Sequence, residues 1–246
     1  MSLEHVHGLA VDPADGELYA GTHYGIVRVA ADGELTRIAD RVQDFMGFTV
    51  VGPQHYLASG HPGEAQAGPG NLGLIESTDG GQTWTTLSLE GQADFHALDA
   101  AQGTVYGFSG GRLLRSDDKT EWADLGAMGI ADLAVDPTRS ERLLLTTEQG
   151  PVLSEDGGQT VAPVAGAPLL QLVAWSPDSA VVIGVAPDGT VHASTDGGRT
   201  WAERGSVGGA PEALGVNGED VYVAVEGAIV SSTDGGITFR DLYRGG

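Results

Sequence analysis

Ser77-Thr78-Asp79-Gly80-Gly81-Gln82-Thr83-Trp84 is the stretch that decides the fold, because variants of it return along the whole chain. Ser194-Thr195-Asp196-Gly197-Gly198-Arg199-Thr200-Trp201 is nearly a copy. Ser232-Thr233-Asp234-Gly235-Gly236-Ile237-Thr238-Phe239 exchanges the indole for a phenyl ring, and Ser154-Glu155-Asp156-Gly157-Gly158-Gln159-Thr160-Val161 exchanges it for Val. Two copies are reduced: Ser116-Asp117-Asp118-Lys119-Thr120-Glu121-Trp122 lacks the glycines, and Ala30-Ala31-Asp32-Gly33 keeps only the centre. With the serine position as marker, the copies stand at 30, 77, 116, 154, 194 and 232, at intervals of 47, 39, 38, 40 and 38 residues.

A period near 40, with short alternating apolar runs between Gly/Asp/Pro turns, predicts one four-stranded propeller blade per repeat. The chain therefore reads as all-β: a six-bladed β-propeller with four antiparallel strands per blade, A to D, and the repeated turn between C and D. The blades cover about 4–40, 41–90, 91–127, 128–166, 167–207 and 208–246, each from contiguous sequence, so that blades one and six close the ring by packing. Residues 62–71, rich in Gly, Pro and Ala, account for the one long interval and are expected as an irregular rim loop. An acid two residues after Ser, followed by Gly-Gly, suits a tight hairpin turn: the carboxylate accepts backbone N–H groups and glycine takes φ > 0. Asp32, Asp79, Asp118, Asp156, Asp196 and Asp234 are accordingly structural, and the aromatic residue that ends the motif packs between blades.

The repeat is that of the Asp-box, and the chain resembles the Asp-box, or BNR-repeat, β-propellers of the sialidase-like superfamily. The stretches His5-Val6-His7-Gly8-Leu9-Ala10-Val11-Asp12, Asp44-Phe45-Met46-Gly47-Phe48, Ala58-Ser59-Gly60-His61-Pro62-Gly63 and Asp94-Phe95-His96-Ala97-Leu98 are similar to those of small bacterial propellers labelled glycosylhydrolase or exo-sialidase-like. The resemblance implies the propeller fold and a range of roles: sialidases, other glycosidases, sorting receptors and assembly factors all carry such boxes. It also implies a secreted or envelope-attached protein whose leader is absent here, with a cytoplasmic location as the alternative.

Composition narrows the partners. The 246 residues include 34 acidic and 12 basic side chains, a formal charge of −22, which disfavours nucleic acid and anionic membrane surfaces and favours cations. No cysteine is present, so disulfides and thiolate metal sites are excluded. The sequence offers no spanning segment, and a closed propeller is expected to be a monomer.

In a four-stranded meander, the starts of A and the ends of B share one face of the disc and the C–D turns mark the other. Five of seven histidines fall on the first face; His55 and His192 are the exceptions. Aligned on their Leu-Ala-Val cores, the A strands place His7, Met46, His96, Ala131, Gln171 and Glu212 at one level, with His5, Asp44 and Asp94 two residues earlier. His23 and His61, at B-strand ends, project toward the same mouth. The candidate metal ligands are thus His5, His7, His23, Met46, His61 and His96. Imidazoles with a thioether suit copper and imidazoles with carboxylates suit zinc, while calcium, a ligand for the aspartates alone, fits less well.

Asp44, Asp94, Glu148, Glu212 and Glu226 are the candidate acids for glycoside hydrolysis, which needs a pair of carboxyl groups. A classical sialidase is disfavoured, because its arginine cluster and its Arg-Ile-Pro signature are missing: no arginine opens an A strand or ends a B strand. The reading ranked first is a ligand-binding propeller with a His-rich metal site at the channel mouth. A non-sialic glycoside hydrolase comes second and a protein-interaction scaffold third; the expected ligands are a small molecule, a glycan or a metal ion.

Overall fold

The structure, a computed structural model, describes residues 3, 5–40, 42–63, 68–177 and 180–245. Positions 4, 41 and 246, where blade limits were expected, lie outside these residues, as do 64–67 of the rim insertion. Six four-stranded antiparallel sheets follow one another along the chain, each pairing its strands in sequence order. The first contains β1 (Val6–Val11), β2 (Leu18–Thr22), β3 (Gly25–Val29) and β4 (Leu35–Arg37); the second contains β5 (Asp44–Gly52), β6 (His55–His61), β7 (Leu74–Ser77) and β8 (Thr85–Ser88). The third runs through β9 (Ala97–Ala101), β10 (Thr104–Ser109), β11 (Arg112–Ser116) and β12 (Ala123–Ala127), the fourth through β13 (Ile130–Asp136), β14 (Arg139–Thr147), β15 (Gly150–Ser154) and β16 (Ala162–Pro163). The fifth has β17 (Leu172–Trp175), β18 (Val182–Val185), β19 (Thr190–Ser194) and β20 (Ala202–Ser206), and the sixth β21 (Pro211–Asn217), β22 (Asp220–Val225), β23 (Ala228–Ser232) and β24 (Arg240–Arg244). This is a six-bladed propeller. Among the described residues no helix is long and apolar enough to cross a membrane.

The core lies between blades. Tyr19 and Ile26 of the first blade pack with Phe45, Phe48 and Tyr56 of the second, and Leu57 and Leu74 of the second with Phe95 and Leu98 of the third. The same arrangement continues around the ring. It ends where Leu9 and Val27 of blade one meet Ala213 and Ile229 of blade six. Closure therefore rests on apolar contact, as expected from a phase in which every sheet is contiguous. Polar clasps also tie neighbouring blades: Asp12 of blade one, 1% exposed, accepts hydrogen bonds from the Tyr56 hydroxyl at 2.6 Å and the Gln54 amide at 3.1 Å in blade two.

The repeated turns are hydrogen-bonded alike. Asp79 Oδ1 accepts from the Ser77 hydroxyl and the Thr83 amide at 2.8 and 2.9 Å, Oδ2 accepts from the Thr83 hydroxyl at 2.6 Å, and Ser77 Oγ accepts from Gly81 N at 2.8 Å. Gly80 and Gly81 hold φ of 70° and 85°, the left-handed region that needs glycine. Asp156, Asp196 and Asp234 repeat the pattern. Asp118 substitutes the amides of Thr120 and Glu121, and Asp32 accepts from Glu34 N. These bonds to the charged form hold the Asp118 and Asp196 carboxyls down to about 2.

Two inner strands start later than the pattern predicts, β9 at Ala97 and β17 at Leu172. In the third blade the reason is local: the amides of Asp94 and Phe95 donate to the hydroxyls of Ser109 and Ser59 instead of joining a ladder. Asp94 and His96 consequently sit on the loop that enters the blade.

Candidate metal centre at the channel mouth

The inner strands surround a channel of about 680 Å³, lined near one mouth by His7, His96, Gln171 and Glu212. The level that aligns His7, Met46 and Glu212 coincides with a break in pairing. In β1 the register steps from Val6 to Gly8, in β5 from Phe45 to Gly47 and in β21 from Pro211 to Ala213, so His7, Met46 and Glu212 are each the extra residue of a β-bulge. A bulge re-aims the side chain it carries.

His7 and His23 meet at this mouth, with Nε2 to Nε2 at 3.3 Å and rings nearly perpendicular, 82° apart. His23 occupies a two-residue turn between the paired Thr22 and Gly25, which the Thr22 hydroxyl fixes by donating to Gly25 O at 2.8 Å and accepting from Tyr24 N at 3.1 Å. Its Nδ1 lies 2.6 Å from Asp44 Oδ1. In neutral His23 that contact puts the ring proton on Nδ1 and leaves a lone pair on Nε2, facing His7. One ligand atom from each of His7, His23 and Asp44 lies within 4.8 Å of the others. His5, at φ 47°, brings its ring to 5.2 Å from that of His23. Burial, then the neighbouring His23, lower the His7 pKa, so its imidazole stays neutral further into acid.

The remaining two histidines gather elsewhere on the same mouth. Asp94 Oδ2 lies 3.2 Å from His61 Nε2 and 3.0 Å from His96 Nε2. The five histidines among the six expected metal ligands therefore divide into two groups, each with a carboxylate of its own. Met46 joins neither by any described contact: it is half-buried on the β5 bulge and does not line the channel. Glu212 lines the channel and accepts from Val6 N at 3.4 Å across the ring closure. Glu148 and Glu226 are exposed in the turns after β14 and β22, away from the channel wall. His55 pairs with Glu76 at 2.8 Å, and Lys119 reaches the same carboxylate oxygen at 2.5 Å.

Two channel carboxylates escaped the sequence reading. Asp99 Oδ2 accepts from Val135 N at 2.9 Å, and Asp132 Oδ2 accepts from Val173 N at 2.9 Å, so each ties its own inner strand to that of the next blade. The signal was an acid inside an apolar inner-strand run, a costly placement without a partner. Burial pushes Asp99 up to about 6 and Asp132 up to about 7, against the pull of their backbone hydrogen bonds. Both folded values exceed the unfolded one, so the native state holds protons that the unfolded chain releases, and stability falls as pH rises from about 4 to 7. Asp132→Asn is expected to reduce that loss between pH 5 and 8 by about 1–2 kcal/mol. Urea denaturation at the two pH values measures it, and an unchanged difference would mean that Asp132 is charged throughout.

The BNR/Asp-box repeat family matches residues 75–86, the β7 end, its turn and the start of β8. This chain is a six-bladed propeller that carries an Asp-box repeat. No curated protein matches it. Among solved structures, the GH74 xyloglucanase from Xanthomonas campestris is similar at a TM-score of 0.64 and 20% identity, over 98% of this chain and 45% of that one. A chain of a nidogen/laminin complex is similar at 0.65 and 14%, over 87% and 88%. YCF48 bound to D1 peptide is similar at 0.55 and 17%, over 98% and 84%. At these identities the likeness is one of fold. The Asp-box propeller spans less than half of the xyloglucanase chain.

Proposed function

We propose that the Asp-box propeller binds a transition-metal ion, zinc or copper(II), at the channel mouth through Nε2 of His7 and Nε2 of His23, with His5 beside them. The 3.3 Å separation of the two nitrogens carries this reading. Two nitrogens bound to one zinc at about 2.0–2.1 Å with tetrahedral angles lie about 3.3 Å apart. Asp44 serves as the carboxylate that accepts the His23 Nδ1–H and orients the ring, the usual support of a metal-bound imidazole. Met46 does not line the channel beside His7 and so lends no support to copper(I), which prefers soft sulfur donors.

The glycoside hydrolase reading has less behind it. Asp44 and Asp94 face the same mouth, yet each uses an oxygen on imidazole, whereas the acid of a glycosidase must be free to reach a leaving-group oxygen. The similarity to the xyloglucanase is one of fold over part of that enzyme.

The test is calorimetric titration of chelator-treated protein with zinc and with copper, in excess magnesium to occupy the acidic surface. His7→Ala/His23→Ala should weaken binding by at least about a hundredfold, and Asp44→Asn by about ten- to a hundredfold. Protons compete for imidazole, so affinity should fall in acid, and because burial lowers the His7 pKa its share of that fall should set in below the ordinary histidine range. Equal affinity of wild type and the double variant would overturn the proposal.

A further inference from the structure

His96 is fixed on one side and free on the other. Its amide donates to Phe108 O at 3.0 Å, and the two amides before it donate to the hydroxyls of Ser109 and Ser59, so its backbone is held where the chain enters the third blade. Its ring is anchored at one nitrogen: Nε2 lies 3.0 Å from Asp94 Oδ2, and among the described residues Nδ1 has no hydrogen-bond partner. In neutral His96 that contact puts the ring proton on Nε2 and leaves a lone pair on Nδ1. The ring is 56% exposed and lines the channel. Asp94 is itself held, since its side chain is 12% exposed and His61 Nε2 lies 3.2 Å from the same oxygen. With both ring nitrogens protonated, His61 donates to Asp94 and to Gly70 O, and its charge balances that of the carboxylate.

We propose that His96, oriented by Asp94, is a general base beside the metal centre, and that this mouth hydrolyses neutral carboxylic esters, open-chain or cyclic. The inference rests on the proposed centre at His7 and His23, which supplies the ion. His7 and His96 line the same mouth, and His7 feels the charge of His96. A carboxylate that orients an imidazole, an imidazole with a bare nitrogen and an ion that binds water are the parts such a reaction uses. The oxygen of the water bonds to the ester carbonyl carbon as one of its protons passes to His96 Nδ1. The bond from that carbon to the alcohol oxygen then breaks, and His96 returns the proton to the departing alkoxide. Acid and alcohol leave, with no oxidant or reductant consumed.

Charge and room set the substrate class. Asp44, Asp94 and Glu212 face this mouth, on a chain of formal charge −22, which disfavours an anionic substrate. Gly8, Gly47, Ala97 and Ala213 line the channel beside His7 and His96, and small side chains leave space for an acyl group. The channel volume of about 680 Å³ is that of a small-molecule site.

The test uses the full-length chain with and without zinc. In the metal-free protein, nitrogen-15 magnetic resonance should show His96 protonated on Nε2 and bare on Nδ1, and Asp94→Ala should lose that preference. The zinc form should hydrolyse p-nitrophenyl acetate and a γ-lactone in preference to p-nitrophenyl phosphate. His96→Ala should keep its zinc affinity, which also shows that it is folded, lose about a hundredfold in kcat, and regain part of the rate when imidazole is added. Asp94→Ala should keep its zinc affinity and lose at least about tenfold in kcat. Zinc bound without ester hydrolysis, hydrolysis that His96→Ala leaves unchanged, or a His96 protonated on Nδ1 would overturn the base and leave the metal centre standing. Faster turnover of the phosphate ester would overturn the substrate class. No zinc bound by wild type would overturn both the centre and the base.

Discussion

Arg142→Ala is expected to cost about 3–5 kcal/mol, the scale on which one partner of a buried ionic network is removed. Arg142 rises from β14, with its side chain 7% exposed, and donates to Gly197 O at 2.6 Å in the Asp-box of the next blade. Its guanidinium lies 3.5 Å from the buried Asp136 and 5.1 Å from the centre of the Trp175 ring. Arg139 and Arg199 complete the cluster by pairing with Glu155, at 3.1 and 2.6 Å. Truncation would leave Asp136 without its cation, free the carbonyl of the Asp-box turn and open a space beside Trp175. Arg142→Met should recover part of the packing and lose the ionic part, so it should fall between wild type and alanine. Urea denaturation with an unchanged slope measures both. A cost under about 1 kcal/mol for alanine would show that the blades are held by apolar contact alone.

Gly60→Ala should be strongly damaging although it adds a single methyl beside the candidate site. Gly60 pairs with Phe45 one residue before the end of β6, at φ 147°, and a Cβ there would lie 1.9 Å from the carbonyl oxygen of Asp44. Neither that backbone oxygen nor the φ value can adjust without moving Asp44 away from His23 or breaking its pairing with His61. A loss of about 3 kcal/mol or more is expected, a melting temperature lower by roughly 6–12 °C for a chain of this size. Because Asp44 lies 2.6 Å from His23 Nδ1, metal affinity at the proposed centre should drop as well, when measured where the variant is still folded. A variant with normal affinity and a normal melting temperature would show that the β5–β6 edge is slack and that Asp44 does not depend on it.

The fold was legible because it is written locally and repeatedly. Each Ser-x-Asp-Gly-Gly-x-Thr unit satisfies its own turn, as Asp79 does with Ser77 and Thr83, and four such turns with two reduced ones at a near-constant period leave one arrangement of strands. The mouth on which the histidines lie followed from the same phase. What the phase could not give was distance. His7 and Met46 stand at equivalent positions, yet a bulge carries each of them: His7 reaches the channel, whereas Met46 does not. The division of the histidines into a His7–His23–Asp44 group and a His61–Asp94–His96 group depends on how the second blade's β5–β6 edge is set between the first and third blades. Asp99 and Asp132 belong to the same class: their partners are amides of neighbouring blades, 36 and 41 residues away in the chain. A turn of eight residues carries its own partners. A site assembled from three blades has its partners fixed only when apolar packing between the blades sets their relative tilt, and sub-ångström differences there decide which imidazole meets which carboxylate.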